Sequence, residues 1–207
     1  MTSQPPLATA LPPIKDGSAL HGAARISRWL AWAGGAMLLV SAVLISLDVL
    51  FRAVFKVTVF ESFELSGYAF AIATAMGMSY ALASRAHIRI EVAYQNRAIR
   101  TRGWLDAFAF TVLALTALAL LYWSAQMVLG NYESGARSNS SLSVPLAIPQ
   151  ALWLLGLAWF ALLSCLYAFY GLRKCLTGQS DVAHQRLGMA SLEDEIDANT
   201  ARGEQQP

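Results

Sequence analysis

The sequence predicts an all-α integral membrane protein of four transmembrane helices with both termini in the cytoplasm. Three observations carry that prediction. The first is the stretch from Phe60 to Val92, where Glu61 and Glu64 precede a charge-free run from Leu65 to Ser84. Arg85-Ala86-His87-Ile88-Arg89-Ile90-Glu91 then closes it. At ~1.5 Å rise per residue such a run extends ~30 Å, the thickness of a bilayer's hydrocarbon core. The second observation is recurrence, because Trp29–Leu47, Ala107–Tyr132 and Ser138–Leu172 are also free of charge. The third is composition: 56% hydrophobic and 14% charged residues, with a mean hydropathy of +0.46, leave too little polar surface to coat a soluble globule.

The helices are placed at about 29–50, 61–83, 104–129 and 149–172, inside a membrane domain spanning 25–175. The segment 1–24, with Pro5, Pro6, Pro12 and Pro13, reads as a disordered cytoplasmic tail. The first apolar run starts too late and is too long for a signal peptide. Asp48 and Arg52 close the first helix at the four-residue spacing of a side-chain ion pair. Thr58-x-x-Glu61 has the capping-box pattern, and Glu61 with Glu64 puts acid at the start of the second helix, where its dipole favours negative charge.

The second helix alternates small and large residues. Wound as a helix, Gly67, Ala71, Ala75, Ser79 and Ala83 form one small-residue stripe, and Ala69, Ala73, Gly77 and Ala81 form its neighbour. Period two is the mark of a strand, but a run this long and apolar on both faces is helical. Small stripes let helices approach closely in lipid. Two of them imply a helix pressed on two sides, either by this chain alone or with another protein on one side. The fourth helix opens at Pro149 and carries Cys165 near its middle, with Cys175 just beyond its end. Ten residues along one helix separate the two thiols by ~15 Å, beyond disulfide reach. Residues 176–207 form a polar cytoplasmic tail whose acids Glu193, Asp194, Glu195 and Asp197 read as a solvated run.

Orientation follows from the basic residues, which favour the cytoplasmic side of short loops. Lys15, Arg25 and Arg28 precede the first helix, while Arg85, Arg89, Arg97, Arg100 and Arg102 join the second and third. Arg173, Lys174, Arg186 and Arg202 follow the fourth. Only Arg52, Lys56 and Arg137 fall on the opposite face. The Arg85–Arg102 segment, with its interspersed isoleucines, suits a surface of anionic lipid. A net charge of +2 gives no sign of a nucleic-acid partner.

Little in the chain resembles catalytic machinery. His21, His87 and His184 lie outside the expected spans, so no axial pair for haem and no metal triad forms. No nucleophile–histidine set, phosphate loop or Cys-x-x-Cys occurs, and no cofactor is expected. Asp48, Glu61 and Glu64 admit an ion- or proton-site reading, since intramembrane acids mark transport paths. Their position at the span ends favours docking instead.

Taken together, Asp48-Val49-Leu50-Phe51-Arg52, the acids Glu61 and Glu64, and Arg85-Ala86-His87-Ile88-Arg89-Ile90-Glu91-Val92 resemble a known family. It is the small membrane subunit (DctQ type) of tripartite ATP-independent periplasmic (TRAP) transporters. Ser143-Val144-Pro145-Leu146-Ala147-Ile148-Pro149 looks like that family's lead-in to the fourth helix. Val59-Phe60 stands where relatives often carry a tryptophan. The resemblance covers about 25–174. It implies a non-catalytic scaffold in the bacterial inner membrane, in stable complex with a large permease subunit and in transient contact with a periplasmic binding protein. It also implies import of an organic acid, such as a dicarboxylate, driven by an ion gradient. On this reading Asp48, Arg52, Glu61, Glu64, Gly67, Ala71, Ala75 and Ser79 are candidates for subunit contact or docking. Arg85, His87, Arg89 and Glu91 form the cytoplasmic-loop motif. The alternatives are a small self-assembling proton-coupled exporter, with Glu64 as the exchanging acid, and a four-span structural or regulatory protein.

Overall fold

The computed structural model describes residues 18–56, 61–84, 99–140 and 142–178. They form four α-helices, α1 Ser18–Phe55, α2 Ser62–Ala83, α3 Ile99–Glu133 and α4 Ala147–Leu176. All four are long and apolar enough to cross a membrane. An antiparallel bridge between Arg137 and Pro145 is the one trace of β pairing among the described residues.

Three of the helices overrun the expected spans, while α2 matches its own to within a residue. α1 holds 38 residues and α3 holds 35, lengths of ~57 and ~53 Å against a hydrocarbon core of ~30 Å. α1 starts at Ser18, inside the segment expected to be a tail. Charge limits where a helix is buried in lipid, but it does not stop the helix, and the arginines inside α1 and α3 are good helix formers.

The helix ends have local causes. Lys56 follows α1 with φ 56, the left-handed conformation that ends helices. Gly135, at φ 63, closes α3 in a Schellman arrangement. Its N–H donates to Tyr132 O at 3.2 Å, and Ala136 N–H donates to Asn131 O at 3.0 Å. The capping box at the head of α2 needs correction. Glu61 is itself the N-cap, without a side-chain capping bond, because the helix begins at Ser62. Thr58 lies outside the described residues.

The chain groups into two compact units, 1–87 with 115–164, and 88–114 with 165–207. In the first, α1 packs on α2 with Gly34 against Ala73; a Cβ at Gly34 would stand 3.0 Å from Ala73 Cα. On another side of α2, Gly156 of α4 meets Ala75, where an added Cβ would stand 2.9 Å from the alanine methyl. Trp159 Nε1 donates to Ser27 Oγ at 2.9 Å, tying α4 to α1. In the second unit, the Phe110 and Tyr167 rings stack at 5.5 Å. There Cys175 Sγ donates to Gly103 O at 3.3 Å.

Candidate functional site

The polar groups of the first unit gather where α1 ends and α2 begins. Asp48 is 1% exposed, and its Oδ2 accepts from Arg52 Nη2 at 2.8 Å and from Ser62 Oγ at 2.9 Å. The Arg52 bond is the pairing expected from the four-residue spacing. An isolated carboxylate here would carry a heavy desolvation cost, which a charged and a neutral donor together offset. Ser62 is the first residue of α2, so Asp48 fastens two helices as well as pairing along one. Arg52 keeps 58% of its side chain exposed, so the pair reaches from a buried acid to an open guanidinium.

Glu64 lies in the first turn of α2. Tyr68, one turn further, donates its hydroxyl to Glu64 Oε1. The Ser138 and Ser140 hydroxyls, 3.0 Å apart, complete the group around the carboxylate. Oε2 is buried and has no hydrogen-bond partner among the described residues. Both serines belong to the α3–α4 connection, which is held by its own backbone. Ser138 N–H donates to Val144 O at 2.9 Å, and Leu146 N–H donates to Ala136 O at 3.0 Å. Arg137 Nη1 donates to the carbonyl of Ser143, a residue at φ 45. A pinned turn thus rests on the head of α2. Beside it, Tyr68, Ala71, Pro149, Gln150 and Trp153 line a cleft of ≈ 200 Å³. Gln150 Oε1 is held by Asn131 Nδ2 at 2.8 Å.

The small stripe divides in two. Ala75 and Ser79 are buried within this chain, whereas Gly67 and Ala71 are exposed. A Cβ on Gly67 would touch nothing. Ser79 Oγ is fully buried without a hydrogen-bond partner among the described residues. Glu61 is half-buried at its N-cap position. The loop motif Arg85, His87, Arg89 and Glu91 lies outside the described residues.

Several polar residues escaped the sequence reading. Tyr68 had a signal, since it stands four residues after Glu64. Ser62, Ser138 and Ser140 had none, because spacing does not say where a turn will land. Asp106, 1% exposed in the second unit, sits just before the charge-free run 107–132 and reads there as a flanking charge. Among the described residues, no group of three or more histidines, cysteines or acids can hold a metal ion.

No curated protein and no solved structure matches this chain. A family model does, described as tripartite ATP-independent periplasmic transporters, DctQ component, over residues 41–174. The matched stretch takes in the Asp48 pair, Glu61 and Glu64, the Arg85–Glu91 motif and the lead-in to α4. The chain belongs to the DctQ family, the small membrane subunits of TRAP transporters.

Proposed function

We propose that this subunit is a non-catalytic brace in the bacterial inner membrane, with both termini cytoplasmic. It packs stably against the large permease subunit of a TRAP transporter and carries no cargo itself. The large subunit moves an organic acid such as a dicarboxylate inward on an ion gradient, after a periplasmic protein has delivered it. The observation that carries this reading is the engagement of the two best placed acids by the chain's own groups. Asp48 is bound by Arg52 and Ser62, and Glu64 accepts from the Tyr68 hydroxyl at Oε1, beside the Ser138–Ser140 turn. A cargo or ion site needs groups that exchange partners during transport, commonly near the midplane and on broken helices. Here Glu64 lies in the first turn of α2 and Asp48 in the last third of α1, and α2 runs from Ser62 to Ala83 without interruption.

Close backbone contacts at Gly34–Ala73 and Gly156–Ala75 support the same conclusion, since they favour a body that does not rearrange. α1 leaves most of its apolar length exposed, a surface that lipid and a larger partner can cover. The test is solute uptake into vesicles holding the large subunit and the binding protein, with and without this chain. Uptake should require it. Solute movement in vesicles holding this chain alone would overturn the proposal.

A further inference from the structure

We infer that the outer end of α1 is a built site for the phosphate of a membrane phospholipid, with Arg52 as the fork that grips it. The guanidinium is not a free surface cation. Nη2 is fixed by Asp48, which is 1% exposed and is itself held by Ser62 of α2. The planar head is therefore anchored on one side while 58% of the side chain stays in the open. An arginine with donors to spare and a fixed plane matches phosphate oxygens in two-point contact.

Asp48 cancels the charge of Arg52, so attraction to an anion needs a further cation. Lys56 supplies it, exposed and four residues beyond Arg52, just after α1 ends.

The apolar surroundings identify the anion as a lipid headgroup. Phe51, Val54 and Phe55 are exposed around Arg52, and the two rings pair at 5.7 Å. Leu47, Val49 and Leu50, earlier on the same helix, are exposed as well. A ligand lying along this end of α1 meets hydrocarbon on one side and a fixed cation at the edge. A phospholipid has that division; a free phosphate or an acidic protein surface has only the charge. The site lies where hydrocarbon gives way to headgroups, the level at which aromatic and basic side chains anchor spans. The inference rests on the chain crossing a membrane and not on its being a brace.

The experiment uses the full chain purified in its transporter complex and placed in phosphatidylcholine nanodiscs containing spin-labelled phosphatidylglycerol. The readout is the affinity of the motionally restricted lipid. Arg52→Gln alone would leave Asp48 buried and unpaired, so the informative variant is Asp48→Asn with Arg52→Gln, which keeps the interior neutral. This pair of changes should fold and should weaken retention about tenfold, the worth of a charge-assisted contact. Arg52→Lys should weaken it as well, since a point charge lacks the fork. Retention unchanged in the double variant, or in Arg52→Lys, would overturn the inference. So would displacement of the lipid by millimolar inorganic phosphate, which would mark a site for any anion. Unchanged lipid retention with loss of binding-protein association would assign the surface to protein docking instead.

Discussion

Replacing Gly156 by alanine tests whether α2 and α4 touch at backbone distance. A methyl there would lie 2.9 Å from the Ala75 methyl and 3.1 Å from both Ala75 C and Met76 N. Carbon pairs prefer roughly 3.5–4.0 Å, so the helices must part by at least ~0.6 Å. Two of the three opposing atoms are backbone, which cannot swing aside as a long side chain can. Overpacking of this kind costs about 1–3 kcal/mol. Glycine-to-alanine replacement in a helix returns up to about 1 kcal/mol, leaving a net loss on the order of 1 kcal/mol. The control is Gly77→Ala on α2, where an added Cβ meets nothing within 4 Å. There only the propensity gain acts, and stability should rise by roughly 0.5–1 kcal/mol. Thermal unfolding of the purified subunit in detergent should shift by a few degrees in opposite directions for the two variants. If both were stabilised, α4 would not approach α2 through Gly156, and the rigidity argued for the first unit would lose its main contact.

The other expectations concern polar groups and turns. Ser62→Ala removes one donor from a buried carboxylate and should lower stability by about 1–2 kcal/mol, measured by the same unfolding assay. Ser79→Ala deletes a buried hydroxyl with no partner among the described residues and should be neutral or stabilising by up to about 1 kcal/mol; a clear loss would reveal an interaction at Ser79 Oγ. Tyr68→Phe removes the donor nearest Glu64, so amide exchange should quicken in the turn around Ser138–Ser143, while unchanged exchange would show that the serines hold the turn alone. Gly135→Ala puts a side chain at φ 63 and should cost about 1–2 kcal/mol, read as a lower Tm.

The four spans were legible because charge is expensive in hydrocarbon, and a run such as Leu65–Ser84 leaves few other interpretations. Their ends were not, except for those of α2, which fell within a residue. Ser18 begins α1 well before the first apolar residue that charge counting would accept, since a helix continues into water wherever propensity allows. The Asp48–Arg52 pair was legible from its four-residue spacing, as any contact along one helix is. Ser62 was not, because it belongs to the next helix, and spacing along one helix does not predict a contact with another. The small stripes announced close approach, and Ala75 and Ala73 do meet glycine backbones. Which helix supplied each glycine depended on tertiary packing, and nothing in the spacing of α2 distinguishes Gly34 from Gly156. The open pair Gly67 and Ala71 shows the same limit from the other side: equal residues on one stripe end in different surroundings.

Where α1 and α2 are fastened explains why two kinds of contact are needed. Gly34 meets Ala73 inside the apolar lengths, while Asp48 meets Ser62 near the helix ends. Fourteen residues separate Gly34 from Asp48 on α1, a distance of ~21 Å, and eleven separate Ser62 from Ala73 on α2, ~16 Å. A single close contact between helices in lipid leaves them free to pivot, because surrounding hydrocarbon exerts no net push between them. A second fastening that far away turns the pivot into a fixed crossing. Inside the hydrocarbon the cheapest fastening is backbone against a methyl, which buries no polar group. At the end, water lies close enough for the exposed Arg52 head to stay solvated while its partner acid is buried. Polar clasp at the rim and bare backbone contact within the span thus each occupy the depth where their desolvation cost is lowest.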